Sequence, residues 1–133
     1  MGTWDIGHFD NDTAADFSGH LDDALETERE AVVRKALVET IETEDFLDSY
    51  EACKAVASAA LIAAQLPGGT PITTSYAPKK PLPTFSPELR PLAVQALDRV
   101  LTPESELLEL WDETEYGPQW RQSVADLKAV LLT

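Results

Sequence analysis

Residues 45–66 read DFLDSYEACKAVASAALIAAQL, and the fold turns on how this stretch is read. Phe46, Tyr50, Cys53, Val56, Ala57, Ala60, Leu61 and Ala64 follow the 3.6-residue period of one helical face. The second half, AVASAALIAA, is apolar nearly all round, the pattern of a helix packed on several sides at once. Its alanines carry little bulk, so neighbouring helices can approach closely. The spacing therefore predicts a central helix, the third in the chain.

On its N-terminal side, Asn11 or Asp10 can cap a first helix whose stripe is Ala14, Phe17, Leu21 and Leu25. Thr27 with Glu30 matches a capping box, opening a second helix on Val33, Ala36, Leu37 and Ile41. Residues 1–10 have no sustained period and form an N-terminal arm, pinned to the core by Trp4 and Phe9. On the C-terminal side, Pro67, Gly68 and Gly69 stop the central helix. Residues 67–86 then carry Pro71, Pro78, Pro81 and Pro83 with no helical period, which predicts a long Pro-rich loop. Ser86-Pro87 starts a fourth helix on Leu89, Leu92, Ala93, Ala96, Leu97 and Val100. Thr102-Pro103 starts a short fifth on Leu107, Leu108 and Trp111, and Gly117-Pro118 precedes a sixth through Trp120, Val124, Leu127, Val130 and Leu131. The expected architecture is all-α, a compact orthogonal or bundle-like array of about six helices in a single domain over residues 1–133. A chain of 133 residues can bury roughly two thirds of its unfolded surface, enough for one core.

Charge narrows the function classes. Asp and Glu number 24 against 10 Lys and Arg, a formal net charge of −14. Such a surface repels nucleic-acid phosphates and anionic lipid and attracts basic proteins or cations, so nucleic-acid and membrane partners are not expected. Cys53 is the only cysteine, which leaves no intramolecular disulfide and points to a reducing, cytoplasmic setting. The start MGTWDIGHFD has neither the basic nor the apolar region of a secretory signal, and the longest apolar run, residues 55–64, is half the length of a membrane span.

MGTWDIGHFDNDTAADF at the start, with the later ALDRVL, SELLELWDE and the Trp120 helix, resembles a bacterial family catalogued as domain of unknown function 4259. In that family a Gly commonly stands where this chain has Asp5. The resemblance implies no activity, cofactor or catalytic residue.

Two constellations could carry function. Acidic residues cluster over residues 22–30 and 104–115. Asp22, Asp23, Glu26 and Glu28 with Glu106, Glu109, Asp112 and Glu113 would make one negative patch for a basic protein if the first and fifth helices were neighbours. Solvated helix faces are the plain alternative. His8, Asp12, Asp16 and His20 recur at a spacing of four; on one helical face they could hold a divalent metal, although His8 precedes the expected cap. Cys53, on the apolar stripe, is expected to be a buried structural thiol. Trp4, Trp111 and Trp120 are expected to fill the core or pin the termini. No P-loop, G-x-S-x-G, H-E-x-x-H or dinucleotide-binding pattern occurs. The combination favours a non-enzymatic acidic protein-binding module without cofactor, inhibitor-like or immunity-like, over a metal protein built on the His/Asp set.

Overall fold

A computed structural model describes residues 7–74 and 76–133. The predicted contact of Trp4 lies outside the described residues. Six α-helices follow one another: α1 (Asp12–Asp23), α2 (Arg29–Glu42), α3 (Ser49–Ala64), α4 (Leu89–Val100), α5 (Glu106–Asp112) and α6 (Gly117–Leu131). A single 3-10 turn, Glu26–Glu28, leads into α2, and no strand occurs among the described residues. The all-α reading holds.

The centre is α3. It packs against each of the other five helices, and from Ala52 to Ala63 every residue except Lys54 is buried. Small side chains make this multiplicity of neighbours possible, because five of the buried positions between Ala52 and Ala60 are alanine and let helix backbones close up. Leu21, Val33, Leu37, Leu89, Leu97, Val100 and Val124, all 0% exposed, complete the shell around it. Trp111 and Trp120 are buried and stack with ring centroids 6.0 Å apart and 9° between planes, which joins α5 to α6.

Several ends differ from the sequence reading. Helix α3 begins at Ser49 because Asp48 caps it, its Oδ1 accepting from the Glu51 amide at 2.9 Å. Just upstream the backbone is extended: the Leu47 amide donates to the Glu104 carbonyl at 2.9 Å and the Glu106 amide to the Leu47 carbonyl at 2.8 Å. Side chains alternate across such backbone, so Leu47 turns wholly inward. Phe46, expected on the apolar stripe, is 49% exposed, and Tyr50 in the first turn is 56% exposed. Leu25 lies beyond the end of α1 and is also exposed.

The caps divide similarly. Asn11 caps α1 as expected, its Oδ1 accepting from the Ala14 amide at 2.7 Å. The Thr27/Glu30 box does not form. Glu30 instead reaches the end of the long loop, accepting from the Ser86 amide at 2.6 Å and the Ser86 hydroxyl at 3.2 Å. Ser86 is thereby engaged, and α4 starts at Leu89 after a turn closed by the Leu89 amide on the Ser86 carbonyl at 3.0 Å. Thr102 donates back to the Arg99 carbonyl at 2.7 Å rather than opening α5, which begins three residues beyond Pro103.

Proline explains how residues 67–86 are held. Prolines donate no amide hydrogen bond, and a loop rich in them leaves carbonyls and neighbouring amides in need of outside partners. Four side chains supply these. The Asp22 carboxylate accepts from the Lys79 and Lys80 amides at 2.9 to 3.1 Å. Arg29, 7% exposed, donates to the carbonyls of Leu21 at 3.0 Å, Ala24 at 3.1 Å and Pro81 at 2.8 Å. Gln65 donates to the Pro83 carbonyl at 2.8 Å and accepts from the Phe85 amide at 2.9 Å, seating the buried Phe85 ring. Glu30 closes the series at Ser86.

Candidate functional site

The eight acidic residues expected to meet a partner separate into two groups. Three are engaged within the fold. For Asp22, burial alone would raise the pKa, but the Lys80 and Lys79 amides and the charges of Lys80 and Arg29 outweigh it and hold the carboxyl below its usual range. Glu106 accepts from the Ser49 amide at 2.7 Å and so satisfies a free donor at the start of α3. Asp112 takes a two-point bond from Arg121, 2.9 Å on the Oδ1 side, which lowers its pKa. The other five, Asp23, Glu26, Glu28, Glu109 and Glu113, are exposed and have no partner among the described residues.

Packing of α1 on α5 is at most slight. Helix α1 packs on α3, whereas α5 packs on α3 and α6. Asn11, at the start of α1, shares a small void with Trp111 at the end of α5. Asp22 lies at the opposite end of α1, about 16 Å along its axis. The acidic clusters thus flank different ends of that helix.

The His/Asp set does not assemble. His8 precedes α1, and its Nδ1 is buried with no hydrogen-bond partner beside the void that Cys53, Trp111 and Trp120 also line. Burial lowers its pKa, and the nearby Asp10 charge opposes that shift. Asp12 is exposed in the first turn, while Asp16 and His20 face a separate groove. Among the described residues no three His, Cys, Asp or Glu side chains come together to hold a metal ion. The cause is the cap at Asn11: a residue before it does not share the helical repeat, so the spacing of four loses its first member. Cys53 is buried, and burial together with the Glu106 charge pushes its thiol up to about 12, which makes it inert as a nucleophile near neutral pH.

Three concave regions are larger: an open one of about 520 Å³ beside Arg90, Val94 and Leu131, at the contact of α4 with the end of α6, and two that involve the N-terminal half of the chain. A cleft of about 430 Å³ opens between residues 7–10, Ala60 and Ala63 of α3, the first part of the long loop, and Ser123, Asp126, Leu127 and Val130 of α6. A groove of about 230 Å³ runs where α1, α2 and the start of α3 meet. Each of these helices brings two polar groups one turn apart: Asp16 and His20, Lys35 and Glu39, Tyr50 and Lys54. The Lys54 ammonium lies 4.6 Å from the centre of the Tyr50 ring and 3.4 Å from a Glu51 oxygen. Of these six groups, only Asp16 and His20 stand out in the sequence as candidate ligands. The spacing of four within each helix was visible, but only packing brings the three pairs into one groove.

Residues 2–123 match the family described as a domain of unknown function (DUF4259). The chain belongs to that family. The match runs from the N-terminal segment through α5 into the first half of α6, so both acidic clusters and the groove of this DUF4259 chain fall inside it. No curated protein and no solved structure matches the chain. Among the described residues of the DUF4259 chain, no helix is long and apolar enough to cross a membrane.

Proposed function

We infer that this DUF4259 chain is a non-enzymatic, acidic module of the reducing cytoplasm that binds a basic protein, acting as a stoichiometric inhibitor or immunity-like partner. One observation carries this reading: the chain has 24 acids against 10 bases, and among the described residues most of those acids have no cation in ion-pair contact. Arg29, Arg90 and Arg99 direct their guanidinium groups onto backbone carbonyls, of Leu21, Ala24 and Pro81, of Leu131, and of Thr43, Asp45 and Glu104 respectively. Only four ion pairs occur among the described residues, Arg34–Glu88, Lys54–Glu51, Arg121–Asp112 and Lys128–Asp98. Three guanidinium groups thus serve the backbone, while Asp23, Glu26, Glu28, Glu109 and Glu113 are exposed.

The field of such a surface extends about a Debye length, roughly 10 Å at moderate salt, and raises the encounter rate with a positively charged partner. Its effect is on association more than on the lifetime of the complex. The test is retention of proteins from the native host's lysate on the immobilised wild-type chain and on the variant D23N/E26Q/E28Q/E109Q/E113Q. The expected result is one basic protein at equimolar yield on the wild type and its loss from the variant. Recovery of no basic protein, or equal recovery on both, contradicts the reading.

A further inference from the structure

The groove between α1, α2 and α3 has a charge pattern that distinguishes it from the rest of the surface. Two of the chain's ten cations, Lys35 and Lys54, face into it with two carboxylates, Asp16 and Glu39. Elsewhere the acids greatly outnumber the bases. Asp16, His20, Lys35 and Glu39 form no ion pair or hydrogen bond through their side chains among the described residues, although they share one small concavity. Lys54, by contrast, is fixed in place by Glu51 behind it and the Tyr50 ring. The buried Phe17 and Ala36 also line it and give it an apolar part.

We propose that this groove binds a small zwitterion of the α-amino acid type with an apolar side chain. A simple anion entering it meets Asp16 and Glu39, and a simple cation meets the unpaired Lys35, so either is opposed by charge of its own sign. A dipolar ligand avoids both costs. Its carboxylate takes the two lysine ammonium groups, its ammonium group takes Asp16 and Glu39, and its side chain covers Phe17 and Ala36 beside the Tyr50 ring. Along α2 the two signs stand one helical turn apart, about 6 Å, the spacing needed for the ends of one small molecule to meet Lys35 and Glu39 together. A volume of about 230 Å³ suits a molecule of this size and is below the range of typical drug-sized sites.

The test is a titration of the isotopically labelled chain, followed by amide chemical shifts, with L-phenylalanine and L-leucine and with the amide and N-acetyl derivative of each. The proposal expects saturable shifts in α1, α2 and the first turns of α3, with at least one of the two free amino acids binding on the order of 1 mM or tighter. Loss of either ligand charge should weaken binding about tenfold. The variants cross with the ligands: Lys35→Gln should weaken the free amino acid and leave the cationic amide bound as well as before or better, and Glu39→Gln should weaken the free amino acid and do the same for the anionic N-acetyl form. Neither side chain has a partner among the described residues, so the variants keep the wild-type amide spectrum elsewhere. Absence of saturation with both amino acids, equal binding of free and capped forms, or shifts confined to other parts of the molecule overturns the proposal.

Discussion

Replacing Arg29 by Ala tests how the Pro-rich segment is held to the helices. The buried guanidinium makes three hydrogen bonds, to Leu21, Ala24 and Pro81, and so ties the end of α1 and the linker after it to the loop. A hydrogen bond from a charged donor contributes about 1.5 to 3 kcal/mol, giving a gross figure of about 5 to 9 kcal/mol for three. Against that stands the desolvation of the guanidinium, several kcal/mol for a buried ion without a carboxylate in direct contact. Water can also reach some of the freed carbonyls. The net loss should be about 2 to 4 kcal/mol. In urea, with a slope of about 2 kcal/mol/M, this corresponds to a fall in midpoint of about 1 to 2 M. Arg29→Lys should recover less than half of it, because one ammonium cannot span three carbonyls held by a planar fork. Hydrogen exchange gives an independent reading: the amides of Lys79, Lys80 and Phe85 should exchange faster, while those in the middle of α3 change only with global stability. A midpoint within about 0.2 M of wild type, with unchanged exchange in the loop, would refute the assigned role of Arg29.

The depressed pKa of Asp22 sets a sign for pH dependence: its contribution is present above the unfolded carboxyl pKa of about 4 and is lost as pH falls through the lower folded value. The gap in urea midpoint between wild type and Asp22→Asn should therefore be widest near neutral pH and shrink in acid; a gap that does not vary with pH contradicts the pairing. Two glycines should respond oppositely to Ala. Gly19 on exposed α1 has open space around it, and Gly19→Ala should stabilise by about 0.5 to 1 kcal/mol. At Gly69 a Cβ would fall on the Ala63 carbonyl, and Gly69→Ala should destabilise by about 1 to 3 kcal/mol; denaturation curves that reverse this order would count against the close approach. Cys53 should resist thiol reagents in the native state near pH 8 and react fully in denaturant; rapid native labelling would show that it is neither buried nor shifted.

The helices were legible because their signals are local. Asn11, the α3 stripe from Cys53 onward, the buried Trp111 and Trp120 and Gly117-Pro118 all occupy the places their spacing predicts. The misreadings come from contacts distant in sequence. Leu47 replaces Phe46 in the core because the backbone there pairs with residues 104 to 106. Glu30 leaves its capping box because Ser86 offers a partner 56 residues away. Local rules describe what a side chain can satisfy nearby and carry no knowledge of a distant competitor. The candidate site was legible only in part for the same reason. Acidic composition is what suggests the proposed basic partner, but which carboxylates are taken up internally by Lys79, Lys80, Ser49 and Arg121 depends on packing. Asp16 and His20 were singled out for metal, whereas their place beside Lys35, Glu39, Tyr50 and Lys54 follows from the meeting of three helices.

The most direct measurement for the acidic surface is the association rate with the captured basic partner at about 0.01 M and about 0.15 M ionic strength, for the wild type and for D23N/E26Q/E28Q/E109Q/E113Q. Steering by these carboxylates predicts a wild-type rate about tenfold or more higher at low salt, a much weaker salt dependence for the variant, and a smaller change in dissociation. Equal association rates for the two chains at both salt concentrations would contradict it.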